Sequence, residues 1–392
     1  MNGIIVKEVE SRKEIRDFLN ITRKIYKDCP YYVPDLEFDV RNIIAKKYCY
    51  GHSSTIQPFV AYKNDVIVGR IVGIINHRAN NKWNTRNVRF SMIEFIDDFE
   101  VSEALLNKVS IWGMEKGMNR IHGPMGMTDF DKEGMLIEDF DQTGSIVSSY
   151  NLPYYPLHLE RMGFTKEVDW IQVKIDIPEE LPERYRRVAV TSMEMFGLKI
   201  RKLTKSDITE RNYGIKIFEL LNAAYSPLFG FTEFSVTQIN EYVKHYLPLI
   251  DLNLVPVIEN EGGEVIGVAV TMASLSQAMI KADGNLFPFG WFHIVKSLKW
   301  KREDKVELLL IAVRPDYQGI GVNSLFFYDL INVYKKMNFK CAETGPQLEY
   351  NVKEPRISPQ PDCLEIMEGV PHCMASNGAI PNGSETEGIT KT

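Results

Sequence analysis

The chain has 392 residues, enough for two domains that each bury a core. Its 44% hydrophobic and 25% charged residues are a globular mix, and a net charge of −6 gives no general attraction to nucleic acid. Five scattered cysteines (Cys29, Cys49, Cys341, Cys363, Cys373), with no CxxC and no histidine at ligand spacing, argue against a zinc site and a disulfide framework.

The first residues, MNGIIVKEVESRKEIRDFL, lack the apolar core of a signal peptide, and no apolar run reaches eighteen residues. A cytoplasmic protein is expected. IIVKEV predicts a strand, and SRKEIRDFLNITRKIYKD a helix with Ser11 and Glu14 at capping-box spacing. PFVAYKND and VIVGRIVGIIN predict a hairpin turning at Asn64-Asp65. The strand NVRFSMIEFI, the helix EVSEALLNKVSIWGMEKG and the strand NRIHGPMG follow, then the helix NLPYYPLHLERMGF and the strand VDWIQVKIDI.

Residues 179–197, with PEELPERYRRVAV, read as a charged connector. A second pass in the same order fills 198–354. LKIRKLTK is a strand, NYGIKIFELLNAAYS and TEFSVTQINEYVKHYLPLI are helices, and LVPVIENEGGEVIGVAVTMAS is a hairpin at Gly262-Gly263. VELLLIAV is a strand, GVNSLFFYDLINVYKKMN a helix and KCAETGPQLE a strand. From Pro355 to Thr392 the composition turns to Pro, Gly, Ser and Asn without a period, which predicts disorder.

The stretch VELLLIAVRPDYQGIGVNSLFFYDLI is the most informative. An apolar strand runs into Gln318-Gly319-Ile320-Gly321 and then a helix. Glycine lets backbone amides turn toward an anion without a Cβ in the way, and the first helical turn carries orphan donors and the positive end of the dipole. Each such contact contributes roughly 0.3–1 kcal/mol when exposed. A plain tight turn is the competing reading of a lone glycine pair.

At these residues the chain resembles the GNAT superfamily of acyl-CoA N-acyltransferases. The family's cofactor motif is Gln or Arg, two residues, Gly, one residue, then Gly or Ala; Gln318 and Gly321 match, and Asn323 departs from the small last residue. The resemblance implies an α/β (α+β) fold of two tandem GNAT-like domains, with mixed central sheets flanked by helices. It also implies acetyl-CoA or a longer acyl-CoA as co-substrate, its diphosphate on Gln318, Gly319, Ile320, Gly321, Val322, Asn323 and Ser324. The pantetheine arm would lie on main-chain groups of Ile311, Ala312 and Val313. Glu307, eleven residues before Gln318, stands where a related branch keeps its catalytic glutamate; a strand-end carboxylate paired with Lys305 is the other reading. In relatives, a helix and strands after LEYN complete the fold, and the tail here replaces them.

The matching junction in residues 1–178, IEFIDDFEVSEALL, has no glycine and puts Asp97, Asp98, Glu100 and Glu103 at the helix start, where carboxylates repel phosphate. That half is expected to be a copy without a phosphate loop. HGPMGMTDFDKEGMLIEDFD does not meet the calcium-loop pattern, so no metal is expected. Tyr150, Asn151, Tyr154 and Tyr155 either line an acceptor pocket or pack an interface between halves. These blocks and YYVPDL resemble a bacterial tandem-GNAT family from about residue 5 to 350, similar to bacterial ceramide synthases, which N-acylate a sphingoid base. The acceptor implied is a small-molecule or long-chain lipid amine. NLFPFGWFHIVKSLKWKR, which contains 286–302, sets Trp291, Ile294, Val295 and Leu298 at helical spacing against Lys296, Lys299, Lys301 and Arg302, with Phe287, Phe289 and Phe292 as added aromatic bulk. It suits a membrane interface, an acyl-chain cover or plain core packing. A non-catalytic acyl-CoA sensor is the alternative function.

Overall fold

A computed structural model of the chain describes residues 3–45, 53–246, 250–300 and 302–349, and the backbone alone of 369–379. Lys301 and residues 355–368 and 380–392 lie outside the described residues.

The first half opens with β1 (Ile4–Glu8), α1 (Arg12–Ile25) and α2 (Glu37–Ile44). Ser11 Oγ accepts from the Glu14 amide and the Glu14 carboxylate accepts from the Ser11 amide, so the expected capping box forms. β2 (Ser54–Lys63) and β3 (Val66–Asn76) make the expected hairpin, with Asn64 and Asp65 at φ 53° and 61°. After α3 (His77–Lys82) come β4 (Asn87–Phe95), α4 (Phe99–Glu115) and β5 (Arg120–Gly123), then β6 (Met135–Leu136), α5 (Tyr154–Arg161) and β7 (Thr165–Asp176).

The second half repeats this order. It comprises α6 (Glu183–Phe196), β8 (Lys199–Lys202), α7 (Lys205–Thr209), α8 (Tyr213–Tyr225) and α9 (Val236–Tyr246), then β9 (Pro256–Glu259) and β10 (Val265–Ala273). α10 (Ser276–Ala282), α11 (Gly290–Lys299), β11 (Lys305–Val313), α12 (Val322–Lys336), β12 (Cys341–Thr344) and β13 (Gln347–Leu348) follow. In both halves four strands run antiparallel and the fifth pairs parallel to the fourth, β4 with β5 and β11 with β12. Each parallel pair needs a crossover, which α4 and α12 supply.

Two expectations change. The 179–197 connector is mostly helix: Pro182 precedes α6, Gly197 closes it at φ 61°, and its Val188, Ala189 and Ser192 face α12. The tail also contributes a strand, β14 (Gly369–Ala379), placed between β5 and β7. Period-poor sequence can still pair here because both neighbours present open backbone ladders, which favour any extended segment. The halves therefore exchange their closing strands. β7 leaves the first half to pair with β12, and β14 returns to pair with β5. The second half is completed by a strand from the first.

The cores are shared in the same way. Phe231 and Phe234, on the α8–α9 link, and Ile239 and Tyr242 of α9 are buried with Val60, Val72 and Met127 of the first half. Burying each large side chain contributes about 1.5–3 kcal/mol, so the halves are held by core packing rather than by a tether.

Candidate active site

β11 opens a wedge in the second sheet. Its parallel pairing with β12 stops at Leu308 opposite Thr344, where the Gly345 amide donates to the Leu308 carbonyl at 2.8 Å. On the other side a bulge leaves Leu309 without a partner between the Val270–Leu310 and Thr271–Leu308 pairs. Beyond it the strand keeps β10 on one edge only, and the Tyr225 hydroxyl donates to the Ile311 carbonyl at 2.8 Å.

The chain leaves Val313 through a short 3-10 turn, Pro315–Tyr317, and the Gln318 amide side chain donates back to the Val313 carbonyl at 3.0 Å. Gly319 and Gly321 follow at φ 80° and 90°, and Gly321 caps α12. A Cβ on Gly321 would meet Ser192 Oγ and Val188 Cγ1, each at 2.6 Å. Ser192 Oγ also donates to the Ile320 carbonyl at 2.7 Å. The turn is thus pinned from β11 by Gln318 and from α6 by Ser192. The amides from Gly319 to Asn323 have no partner among the described residues. They lie at the start of a fifteen-residue helix, where the dipole favours negative charge. In the first half the equivalent position is filled: Asp98 caps α4 through the Glu100 amide and pairs with Lys63 at 2.6 Å.

A cavity of about 1060 Å³ lies between the halves, at the upper end of the usual range of small-molecule sites. Leu308, Leu309, Leu310 and Ile311 line it, as does Asn323 at the start of α12; Ala312 and Val313 do not. The first half opens a matching wedge onto the same space. β4–β5 pairing ends at Arg89 opposite His122, and Ser91, Met92, Ile93 and Glu94 line the wall. Much of the remaining lining is aliphatic or aromatic, including Met272, Leu275, Met279, Phe327 and Ile331.

Glu307 sits one residue before the lining stretch of β11, 1% exposed. Ser276 donates to its Oε1 at 3.5 Å, and its Oε2 has no partner among the described residues. Burial raises the carboxyl to about 7, against the opposing pull of Ser274 and Lys305. Lys305 itself pairs with Glu343 rather than with Glu307.

Of the four candidate acceptor residues, three reach the cavity. Tyr150 donates to the Phe140 carbonyl at 2.7 Å; Asn151 brackets Leu136, accepting from its amide at 2.7 Å and donating to its carbonyl at 3.0 Å. Tyr155 donates to Glu94 at 2.8 Å. Tyr154 does not line the cavity; its hydroxyl is spent on the Phe95 carbonyl at 2.6 Å. Trp291 and Phe292 also stay outside. α11 turns Ile294 and Leu298 inward against Val33, Met272 and Leu275, leaving Trp291 and Phe292 exposed beside Phe287, Phe289 and Trp300. The helix is too narrow to bury both stripes at once.

The sequence reading missed the charged wall of the first half, Arg70, Glu94, Asp129, Asp131, Lys132 and Glu133. Its signal was the run TDFDKE, weighed only as a calcium loop. Among the described residues no three His, Cys, Asp or Glu side chains gather to hold a metal, and no helix is long and apolar enough to cross a membrane.

No family profile matches the chain. Its backbone superposes on a tandem GNAT protein from the clavulanic acid biosynthesis pathway with a TM-score of 0.54, at 9% identity over 97% of this chain and 100% of that one. It superposes on a GCN5-related N-acetyltransferase from Sphaerobacter thermophilus with a TM-score of 0.51, at 11% identity and 97% coverage of both. The chain is a tandem GNAT-fold protein. Two sequence relatives span most of this chain. Protein YghO of Escherichia coli (strain K12) is 24% identical over 325 residues, 80% of each chain. A bacterial ceramide synthase of Caulobacter vibrioides is 25% identical over 313 residues, 79% of this chain and 80% of that one.

Proposed function

We propose that the protein is an acyl-CoA-dependent N-acyltransferase that moves an acyl group from coenzyme A to a long-chain amine. One observation carries this reading: the two left-handed glycines open a row of unpartnered amides at the start of α12, beside a strand wedge that leads into a large apolar cavity. The diphosphate would sit on amides 319–323, with Gln318 and Ser192 fixing the turn, and the pantetheine arm would follow the open edge of β11 toward Leu309.

The amine nitrogen attacks the thioester carbonyl, the C–S bond breaks, and the leaving thiolate becomes CoA–SH by taking up the proton that the nitrogen gives to the base. A base takes the proton that the nitrogen loses. Glu307 fills that role in this reading, since burial holds its carboxyl close to neutrality and one oxygen is uncommitted. Main-chain amides of the bulged strand would polarise the carbonyl. The ceramide synthase likeness and the cavity volume together favour a lipid amine over a small one.

The test is acyl transfer by the purified full chain, with acyl-CoAs of two to eighteen carbons (about) and sphingoid and short amines. Amide product should form with long-chain donors or acceptors at least about tenfold faster than with acetyl-CoA and a short amine. No amide from any pair, with coenzyme A still bound, would favour an acyl-CoA sensor.

The exposed aromatic cluster of Phe287, Phe289, Trp291, Phe292 and Trp300, with Lys296 and Lys299 beside it, supports contact of this face with a membrane surface. Vesicles containing anionic lipid should co-sediment with the protein. Phe289→Ser with Trp291→Ser should cut the bound fraction about tenfold and leave transfer to a soluble amine intact.

A further inference from the structure

The acids along the first-half wall of the cavity are not equivalent. Asp35 is paired with Lys132 at 2.8 Å. Glu94 accepts from the hydroxyls of Tyr26 and Tyr155, both at 2.8 Å, with Arg70 at 3.8 Å. Asp131 accepts from the amides of Met127 and Thr128 at 2.8 and 2.9 Å, holding its own loop in shape. Asp129 Oδ1 and Glu133 Oε1 have no partner among the described residues, although both atoms are closed to solvent and Glu133 is nine-tenths buried. Both residues line the cavity.

A buried carboxylate oxygen without a donor is costly, and native structures rarely keep two side by side without a reason. Arg89 is the nearest cation in electrostatic terms, but its guanidinium is spent on backbone carbonyls, Gly126 at 3.0 Å and Gly230 at 3.4 Å. Arg89 acts on all three carboxylates and Lys82, itself paired with Glu233, on Asp129 alone, so acids outnumber cations here. Burial lifts Asp129 to about 7 and Glu133 well above the ordinary range, and the Asp129 charge pushes Glu133 further. A cation entering the cavity would reverse both shifts.

Their place relative to the chemistry is equally specific. Both lie on the loop after β5, at the mouth of the first-half wedge, whose helix start is already capped by Asp98 and closed to a phosphate. Asp129 is also near enough to perturb Tyr225, whose hydroxyl is bonded to Ile311 on the open stretch of β11. The pair therefore shares the cavity with the open stretch of β11, and Asp129 lies within electrostatic reach of the Tyr225 hydroxyl bonded to that strand.

We infer that Asp129 and Glu133 form the ammonium site of the acceptor, binding the cationic head of a long-chain primary amine whose tail occupies the apolar cavity. This rests on the amine-acceptor reading above and adds which half recognises the acceptor. The first half, without a phosphate turn, supplies the amine site, and the second holds the cofactor. The pair recognises the amine, and the proton-accepting role stays with Glu307.

The experiment is calorimetry on the full chain with decylamine and with decanol, which share a tail and differ in the charged head. Decylamine should bind about tenfold or more tighter, the scale of a desolvated charge-assisted hydrogen bond. In Asp129→Asn/Glu133→Gln that preference should vanish while decanol affinity stays within about twofold, which also reports an intact cavity. Should the double variant fail to bind decanol, Glu133→Gln alone must narrow the ratio about threefold or more. An equal amine-to-alcohol ratio in wild type and variant overturns the inference, since the two oxygens are then satisfied by water. Titration of coenzyme A into the same samples separates the two readings. Amine preference without coenzyme A binding sinks the transferase and leaves this site standing; coenzyme A binding without amine preference does the reverse.

Discussion

Gly321→Val is expected to weaken coenzyme A binding about 10- to 100-fold. Gly321 sits at φ 90°, where a β-branched residue is strained by on the order of 1–3 kcal/mol. The added Cβ would also fall 2.6 Å from both Ser192 Oγ and Val188 Cγ1, and Ser192 is buried and bonded to the Ile320 carbonyl. Either α6 moves or the turn flips, and each outcome re-aims the amides of the first turn of α12. Losing two or three anion contacts of roughly 0.3–1 kcal/mol accounts for the loss of affinity. Gly263→Ala is the control. Gly263 is also left-handed, at φ 73°, but a Cβ there meets nothing within 4 Å. That variant should lose some stability and no coenzyme A affinity. Calorimetry on both decides; unchanged affinity in Gly321→Val would mean the diphosphate is not held there.

Glu307→Gln should separate catalysis from stability. If Glu307 takes the proton, turnover falls about 10²- to 10³-fold while acyl-CoA affinity holds, because the substitution keeps shape and removes only the base. The sensor alternative predicts no loss of any function. Stability moves the other way. Burial raises the Glu307 carboxyl to about 7, so between the ordinary glutamate range and neutrality the folded chain holds a proton that the unfolded chain releases. The stability this provides is complete in acid and disappears as pH rises through about 7. Above that, wild type carries a buried charge costing up to roughly 3 kcal/mol, which the glutamine variant never carries. Thermal melts should therefore coincide near pH 5 (about) and diverge above pH 8 (about), with the variant the more stable. A variant that melts lower at every pH would show that Glu307 is ionised and satisfied in the fold.

The exchange of β7 and β14 bears on how the two halves work together. Each sheet is closed by the other half's strand, so opening the cleft requires breaking backbone ladders as well as side-chain packing. The cavity is accordingly a built site between interlocked halves.

Local signals determined much of this in the sequence. Ser11 and Glu14 capped α1, Asn64-Asp65 turned the first hairpin, and the glycine pair before Val322 marked the tight turn into α12, because each acts within a few residues of itself. The acids at Asp97 and Asp98 likewise marked the start of α4, which Asp98 caps. What the sequence could not reveal depends on contacts between residues far apart along the chain. Phe130 and Phe218 meet across 88 residues of sequence (218 − 130), and Arg89 is drawn to the carbonyls of Gly126 and Gly230 rather than to Asp129 or Glu133. The outward turn of Trp291 and the completion of the second sheet by β7 were decided in the same way. Helix periodicity says that an apolar stripe exists, and a free strand edge says that a partner is needed. Which surface meets the stripe, and which strand fills the edge, is settled only when the whole chain packs.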